Sequence, residues 1–266
     1  METPFALEQG TGPALVLLHG IGGGALGWPD QLAAWSDRYR VIAWDMPGYG
    51  RSPLPERMSW PGLADALAAL LDARGIGRAV VLGHSMGGMV AQAFAARHPE
   101  RVAGLVLSGT SPAFGKAGGA WQREFLSARL KPLDEGKTPA DIADGNARAI
   151  LGEAPDGMAH RRAVALMAAV PAATYRAALT LLVTFDGRAD LPRIAVPTLC
   201  LAGGKDTVAP PEVMEGMAKR IAGADYVVIP GAGHLANLER PTAFNAAVEG
   251  FLERRLAADG ACWRAR

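Results

Sequence analysis

Residues 79–88 carry the most informative pattern in the chain, Ala79-Val-Val-Leu-Gly-His-Ser-Met-Gly-Gly88. Its first four residues form a short apolar run typical of a buried strand, and a helical pattern follows Ser85. The pattern Gly-x-Ser-x-Gly between them is typical of a serine held on a sharp strand-to-helix turn with its hydroxyl exposed. Because glycine has no Cβ, the flanking glycines let the strand and the helix approach closely. We predict that Ser85 is a nucleophile; the alternative is an ordinary turn with a helix-capping serine.

Short apolar runs and helix-length segments alternate on both sides of this turn. The apolar runs are residues 14–18, 39–44, 78–82 and 102–107, and the helical segments between them are residues 28–35, 60–73 and 86–97. Strands that alternate with helices predict an α/β fold with a mostly parallel sheet and helices on both faces.

Residues 112–193 interrupt this alternation with helical and loop patterns that are rich in alanine and arginine. Strand character returns at residues 196–202 and 225–229, and a final helix is predicted over residues 242–257. We therefore predict a core formed by residues 1–111 and 194–266, with residues 112–193 inserted into it. The tail from Ala258 to Arg266 is expected to be frayed.

Composition excludes several classes of partner. The chain has 266 residues with 27 basic and 26 acidic side chains, a net charge of +1, which argues against a nucleic-acid partner. Cys200 and Cys262 lie far apart in sequence, which argues against a disulfide framework and predicts a cytoplasmic protein. The N-terminus shows no signal-peptide pattern. The apolar residues 163–185 are interrupted near their middle, so we predict two packed helices and no membrane partner. The near-zero net charge permits a homodimer without requiring one.

A serine nucleophile needs a histidine to accept its proton and a carboxylate to orient that histidine. His234 lies in a glycine-rich loop after the strand-like residues 225–229, and Asp206 follows the strand-like residues 196–202. The carboxyl ends of parallel strands meet at one edge of a sheet, where catalytic groups collect. We predict the triad Ser85, Asp206 and His234. The competitors for the acid are Asp186 and Asp190, which we interpret as turn residues.

A second glycine-rich loop follows the first apolar run, with the sequence His19-Gly-Ile-Gly-Gly-Gly24. No Lys-Ser or Lys-Thr pair follows it, so a phosphate-binding loop is not indicated. We predict instead that the backbone N–H groups of Ile21 and Met86 form an oxyanion hole. His19 is interpreted as a brace for this loop rather than as a base.

These motifs resemble the α/β-hydrolase fold serine hydrolases over nearly the whole chain. The landmarks are His19-Gly20, Asp45-Met-Pro-Gly-Tyr-Gly-Arg-Ser52, Gly83-His-Ser-Met-Gly-Gly88, and Asp206 with Gly233-His234. The resemblance implies that residues 112–193 form a helical cap. Within the family the chain looks most like small bacterial 3-oxoadipate enol-lactonases and related carboxylesterases. Hydrolases of carbon–carbon bonds are similar too, but they typically carry Asn at position 84 and Trp at position 235.

The resemblance implies a cofactor-free hydrolase, with no metal, that cleaves a small ester or lactone through an acyl-enzyme. We predict that Trp121, Phe125 and Leu235 contact the substrate, the alternative for the cap residues being packing within the cap. Any cap arginine that faces the cleft is a candidate to bind a substrate carboxylate. The alternatives for the whole protein are carbon–carbon hydrolysis, acyl transfer or perhydrolysis, and a ligand sensor with slow turnover. The candidate arginines are seven of the eight arginines between residues 112 and 193, namely Arg123, Arg129, Arg148, Arg161, Arg162, Arg176 and Arg188.

Overall fold

The computed structural model describes residues 2–115, 118–152 and 157–256. Cys262, the end of the predicted final helix at Ala257 and the tail from Ala258 lie outside the described residues. Seven strands form one sheet in the order β1-β3-β2-β4-β5-β6-β7, in which only β1 runs antiparallel. The strands are β1 (Ala6–Gln9), β2 (Ala14–Leu18), β3 (Arg40–Trp44), β4 (Ala79–His84), β5 (Val102–Ser108), β6 (Thr198–Gly203) and β7 (Asp225–Ile229).

Helices cover both faces of this sheet, as the alternating pattern predicts. They are α1 (Pro29–Trp35), α2 (Trp60–Asp72), α3 (Met86–Arg97), α4 (Ala120–Asp134), α5 (Pro139–Ile150), α6 (Gly157–Ala168), α7 (Ala172–Leu182), α8 (Pro211–Arg220), α9 (Ala236–Glu239) and α10 (Pro241–Leu256). Strand β2 shows why two faces are needed. Val16 and Leu18 pack in the core on the side of α2, α3 and α8, whereas Leu15 and Leu17 pack on the side of α1 and α10.

The edge strand β1 is one of the elements that the sequence patterns missed, together with helices α8 and α9. It is four residues long, and Glu8 and Gln9 are exposed, so it lacks the continuous apolar run that marks the buried strands. Its residues pair with β3, from Ala6 opposite Trp44 to Gln9 opposite Val41. A short, partly polar strand is typical of a sheet edge.

Helices α4 to α7 lie between β5 and β6, in the segment predicted as a cap. We keep the name cap for residues 112–193; the boundaries themselves stay a prediction. The apolar residues 163–185 form parts of α6 and α7, which meet at a 98° bend. Among the described helices, none alone is long and apolar enough to cross a membrane, and this pair reaches that length and composition only together.

Candidate active site

The turn between β4 and α3 holds Ser85 in a strained backbone conformation. Ser85 has φ 53°, and it is the only non-glycine residue with positive φ in the described part of the chain. Such a conformation costs about 1–3 kcal/mol and is found preferentially at functional sites. The neighbouring glycines are required sterically. A Cβ at Gly83 would lie 2.4 Å from the Gly87 carbonyl oxygen, and a Cβ at Gly87 would lie 2.2 Å from the Leu18 carbonyl oxygen.

The structure brings the three predicted triad residues together. The Ser85 Oγ lies 3.0 Å from His234 Nε2, and His234 Nδ1 lies 2.8 Å from Asp206 Oδ2. Because a carboxylate accepts the proton on Nδ1, the opposite ring nitrogen is left free to accept the serine proton. These contacts form a continuous path from the carboxylate to the serine hydroxyl.

Asp206 is buried, but hydrogen bonds and the neighbouring His234 compensate for the lost solvation of its carboxylate. Its other oxygen, Oδ1, accepts hydrogen bonds from the N–H groups of Val208 at 2.7 Å and Ala209 at 2.9 Å. Burial raises the pKa of Asp206, but the charge and hydrogen bond of His234 and these two amides together bring it below its ordinary value. Asp206 is therefore ionised at neutral pH. The competing acid Asp186 instead pairs with Arg188, and Asp190 with Arg193.

The loop that carries His234 is held by a carboxylate that the sequence analysis did not identify. Glu239 is 3% exposed and accepts three backbone N–H groups, from Gly152 at 2.7 Å, Gly233 at 3.0 Å and Leu235 at 3.0 Å. The His234 N–H donates to the Ile150 carbonyl at 2.8 Å. The histidine loop is therefore joined to the middle of the cap. The sequence signal was a single acid in an apolar stretch, which by itself does not reveal its partners.

His19 braces the first glycine-rich loop, in agreement with its geometry. Its Nε2 accepts the Met46 N–H at 3.0 Å, so its Nδ1 donates to the Gly20 carbonyl at 2.8 Å. Burial lowers the pKa of His19 to about 4, which keeps the ring neutral. Tyr49 donates its hydroxyl to the Ile21 carbonyl at 3.1 Å.

The predicted oxyanion donors lie on either side of the serine. Ile21 is in the braced loop, and Met86 is the first residue of α3, where a helix leaves its N–H groups without intrahelical partners. Across the described residues, neither the Ile21 nor the Met86 N–H donates to another backbone or side-chain group. Both remain predicted oxyanion donors.

A cavity of about 410 Å³ lies over Ser85 and is lined by the sheet loops and the cap. The predicted substrate contacts Trp121, Phe125 and Leu235 all lie on its wall. Trp121 and Phe125 stack on each other with centroids 5.8 Å apart. The volume suits a small ligand, and the wall is mostly aromatic and aliphatic.

Other apolar side chains of the cap have different surroundings. Met167 lies on the cavity wall, but Met158 is 45% exposed and Phe185 packs against Trp60 at 4.7 Å between centroids. Within the described ranges, no group of three or more His, Cys, Asp or Glu side chains is arranged to hold a metal ion.

The buried His84 should make the free energy of unfolding depend on pH. Burial, followed by the charge of His234, lowers the pKa of His84 from its ordinary 6.5 to about 3. Between these values the unfolded chain binds a proton that the folded chain excludes, so stability is full above pH 6.5 and is lost as the pH falls. We expect about 2 kcal/mol of this loss by pH 5 from one such histidine. His84→Asn should remove that share, measured by urea unfolding at pH 7.5 and pH 5. An equal fall in stability in both proteins would contradict the assignment.

Comparison with known proteins agrees with this fold. A model described as alpha/beta hydrolase fold matches residues 13–241, so the chain belongs to the alpha/beta hydrolase fold family. It is 32% identical over 252 residues to a pimeloyl-(acyl-carrier protein) methyl ester esterase of Neisseria meningitidis serogroup B, over 89% of this chain and 92% of the relative. It is 31% identical to a 3-oxoadipate enol-lactonase of Acinetobacter baylyi, over 92% and 91% of the two chains.

A solved structure of an esterase shows that the similarity extends to the three-dimensional fold. The malate-bound esterase of Thermogutta terrifontis is 32% identical, with a TM-score of 0.84 over 94% of this chain and 93% of that one. The predicted fold class and the predicted resemblance to esterases and enol-lactonases are confirmed. At the level of enzyme class, the prediction of a carboxylic ester hydrolase is confirmed as well.

Proposed function

We propose that this protein cleaves a small carboxylic ester or lactone through an acyl-enzyme formed on Ser85. The observation that carries the proposal is the path Asp206, His234, Ser85, which ends at a strained serine on the wall of a small apolar cavity. A structural network would not require a serine in a costly backbone conformation on the wall of a cavity. The esterase and lactonase relatives support the same bond type.

The reaction begins when the Ser85 oxygen attacks the substrate carbonyl and His234 accepts the hydroxyl proton. Asp206 holds the His234 ring and stabilises the positive charge that forms on it. Collapse of the tetrahedral intermediate breaks the ester carbon–oxygen bond, and His234 returns the proton to the leaving oxygen. Water, activated by the same histidine, then attacks the acyl group and frees Ser85.

The oxyanion of each tetrahedral intermediate is assigned to the N–H groups of Ile21 and Met86. The loop with Ile21 is pre-set by the contacts of His19 and Tyr49, so little reorganisation is needed when negative charge develops. Loss of one such donor typically lowers kcat about 10²–10³-fold.

The experiment is a rapid-mixing assay with 4-nitrophenyl acetate, butyrate and octanoate, and with an enol-lactone bearing a carboxylate. We expect an initial burst of about one equivalent of 4-nitrophenol per chain with an ester whose acyl-enzyme breaks down slowly. Mass spectrometry of the quenched protein should place the acyl group on Ser85. Acylation at another residue, or no turnover of any substrate together with strong thermal stabilisation by them, would contradict the proposal and favour a ligand sensor.

A further inference from the structure

The cap arginines differ sharply in their surroundings. Four of the seven form ion pairs with carboxylates, namely Arg148 with Asp144, Arg162 with Asp30, Arg176 with Asp134 and Arg188 with Asp186. Arg129 is the only one of the seven on the cavity wall. It is also the only Arg, Lys, Asp or Glu side chain among the described residues that line the cavity. The described lining of the cavity therefore carries one fixed positive charge and no fixed negative charge.

Neutral groups hold the Arg129 guanidinium in place. Its Nη1 donates to Asn146 Oδ1 at 3.2 Å, and its central carbon lies 5.4 Å from the centroid of the Phe125 ring, one helical turn earlier on α4. No carboxylate of the described chain lies within ion-pair distance of it. An arginine held this way keeps donors available for a ligand, because its five N–H groups form a planar fork.

A second polar group stands next to this arginine. Tyr175 is 8% exposed and also lies on the cavity wall. Burial raises the pKa of Tyr175, while its interactions with Arg129 and Asn146 act in the opposite direction. Arg129, Asn146 and Tyr175 come from α4, α5 and α7, so three helices converge on one polar cluster in a largely apolar cavity. This is the pattern of a few placed polar groups that fixes the orientation of a small ligand.

We infer that Arg129, Asn146 and Tyr175 form a subsite for a carboxylate of the substrate, so that the preferred ester or lactone carries an acidic group away from the scissile bond. This inference rests on the proposed function of Ser85. A single guanidinium matches a monoanion in charge, and a carboxylate accepts its fork with two parallel hydrogen bonds. A phosphate dianion would leave one negative charge without a partner in an apolar cavity.

The test compares two esters of equal chain length, 4-nitrophenyl hexanoate and the mono-4-nitrophenyl ester of adipic acid. The quantity measured is the ratio of their kcat/KM values, because a general loss of folded enzyme cancels in it. We expect Arg129→Met to lower the ratio of adipate to hexanoate ester about 10- to 100-fold, since hydrogen bonds between charged partners are the strong ones. Arg129→Lys, which keeps the charge but loses the fork, should give an intermediate ratio.

Arg148→Met is the matched control, since Arg148 is a cap arginine paired with Asp144 outside the cavity wall. It should leave the ratio within about twofold of the wild type. A ratio in Arg129→Met that is as high as in this control would overturn the subsite. If Arg129→Met turns over both esters with an unchanged ratio, only the subsite fails. If the wild type turns over neither ester, the function of Ser85 fails.

A binding measurement keeps the two failures separate. Free hexanoate should raise the thermal unfolding temperature of the wild type more than the neutral hexanamide does, because its carboxylate can reach Arg129 without any reaction at Ser85. The difference should disappear in Arg129→Met and persist in Arg148→Met. Equal stabilisation of the wild type by hexanoate and hexanamide would overturn the subsite whatever the turnover assay shows.

Discussion

Replacing Ser85 by alanine should abolish ester turnover, with kcat lowered by about 10⁶-fold, the loss typical of removing a nucleophile that acts as one unit with its base. The reason is that His234 would have no hydroxyl from which to take a proton, and no acyl-enzyme could form. The burst and the acyl group detected by mass spectrometry should both disappear. Steady-state assays on 4-nitrophenyl butyrate, with the variant prepared free of wild-type enzyme, measure the effect.

The stability of these variants provides the control. Alanine keeps the Cβ and therefore the strain of the positive φ, so Ser85→Ala should unfold at nearly the wild-type temperature. Ser85→Gly removes that strain and should be the more stable of the two by about 1 kcal/mol. Both should be equally inactive. Residual burst kinetics in either variant would show that another residue forms the covalent bond.

Replacing Asp206 by asparagine should lower kcat about 10⁴-fold while the fold is retained. An asparagine can present its amide N–H₂ to His234 Nδ1, which then acts as an acceptor. The ring proton would move to Nε2, the nitrogen that lies 3.0 Å from the Ser85 hydroxyl. A protonated Nε2 cannot accept the serine proton. The measurement is steady-state kinetics on the same ester.

Asp186→Asn is the matched control for this prediction, because Asp186 was the competing acid in the sequence. It pairs with Arg188 and has no contact with His234. We expect its kcat to stay within about twofold of the wild type, since exposed ion pairs contribute little. Equal losses in the two variants would show that the oriented histidine is not what Asp206 provides.

The parts of the fold that the sequence predicted are those marked by local patterns. Strand β2, helix α3 and strand β7 have the predicted bounds, because each is a clear apolar run or helical segment with glycine or proline within two residues of its end. The three triad residues could also be predicted from the sequence, since each follows the end of a parallel strand. Strand β1 could not be predicted, because its pairing with β3 and not its own pattern defines it.

The remaining features of the site depend on contacts between distant parts of the chain. The seven candidate arginines of the cap are equivalent in sequence, and only the packing of α4 against its neighbours selects Arg129 for the cavity wall. Glu239 is likewise an ordinary acid in the sequence. Its role appears only when residues 152 and 233 lie side by side, an approach so close that a Cβ on Gly233 would lie 2.3 Å from the Gly152 nitrogen. No local pattern encodes such a distance.

The contact between Gly152 and Gly233 limits which chimeras of this enzyme would keep the site intact. A chimera that takes its cap from a relative would bring a foreign backbone against the histidine loop, and Glu239 Oε2 would lose the Gly152 N–H as a donor. The His234 N–H would likewise depend on a borrowed carbonyl in place of Ile150. Recombination boundaries placed only at the two ends of the cap would cut through this contact. The transferable module is the cap together with residues 231–239.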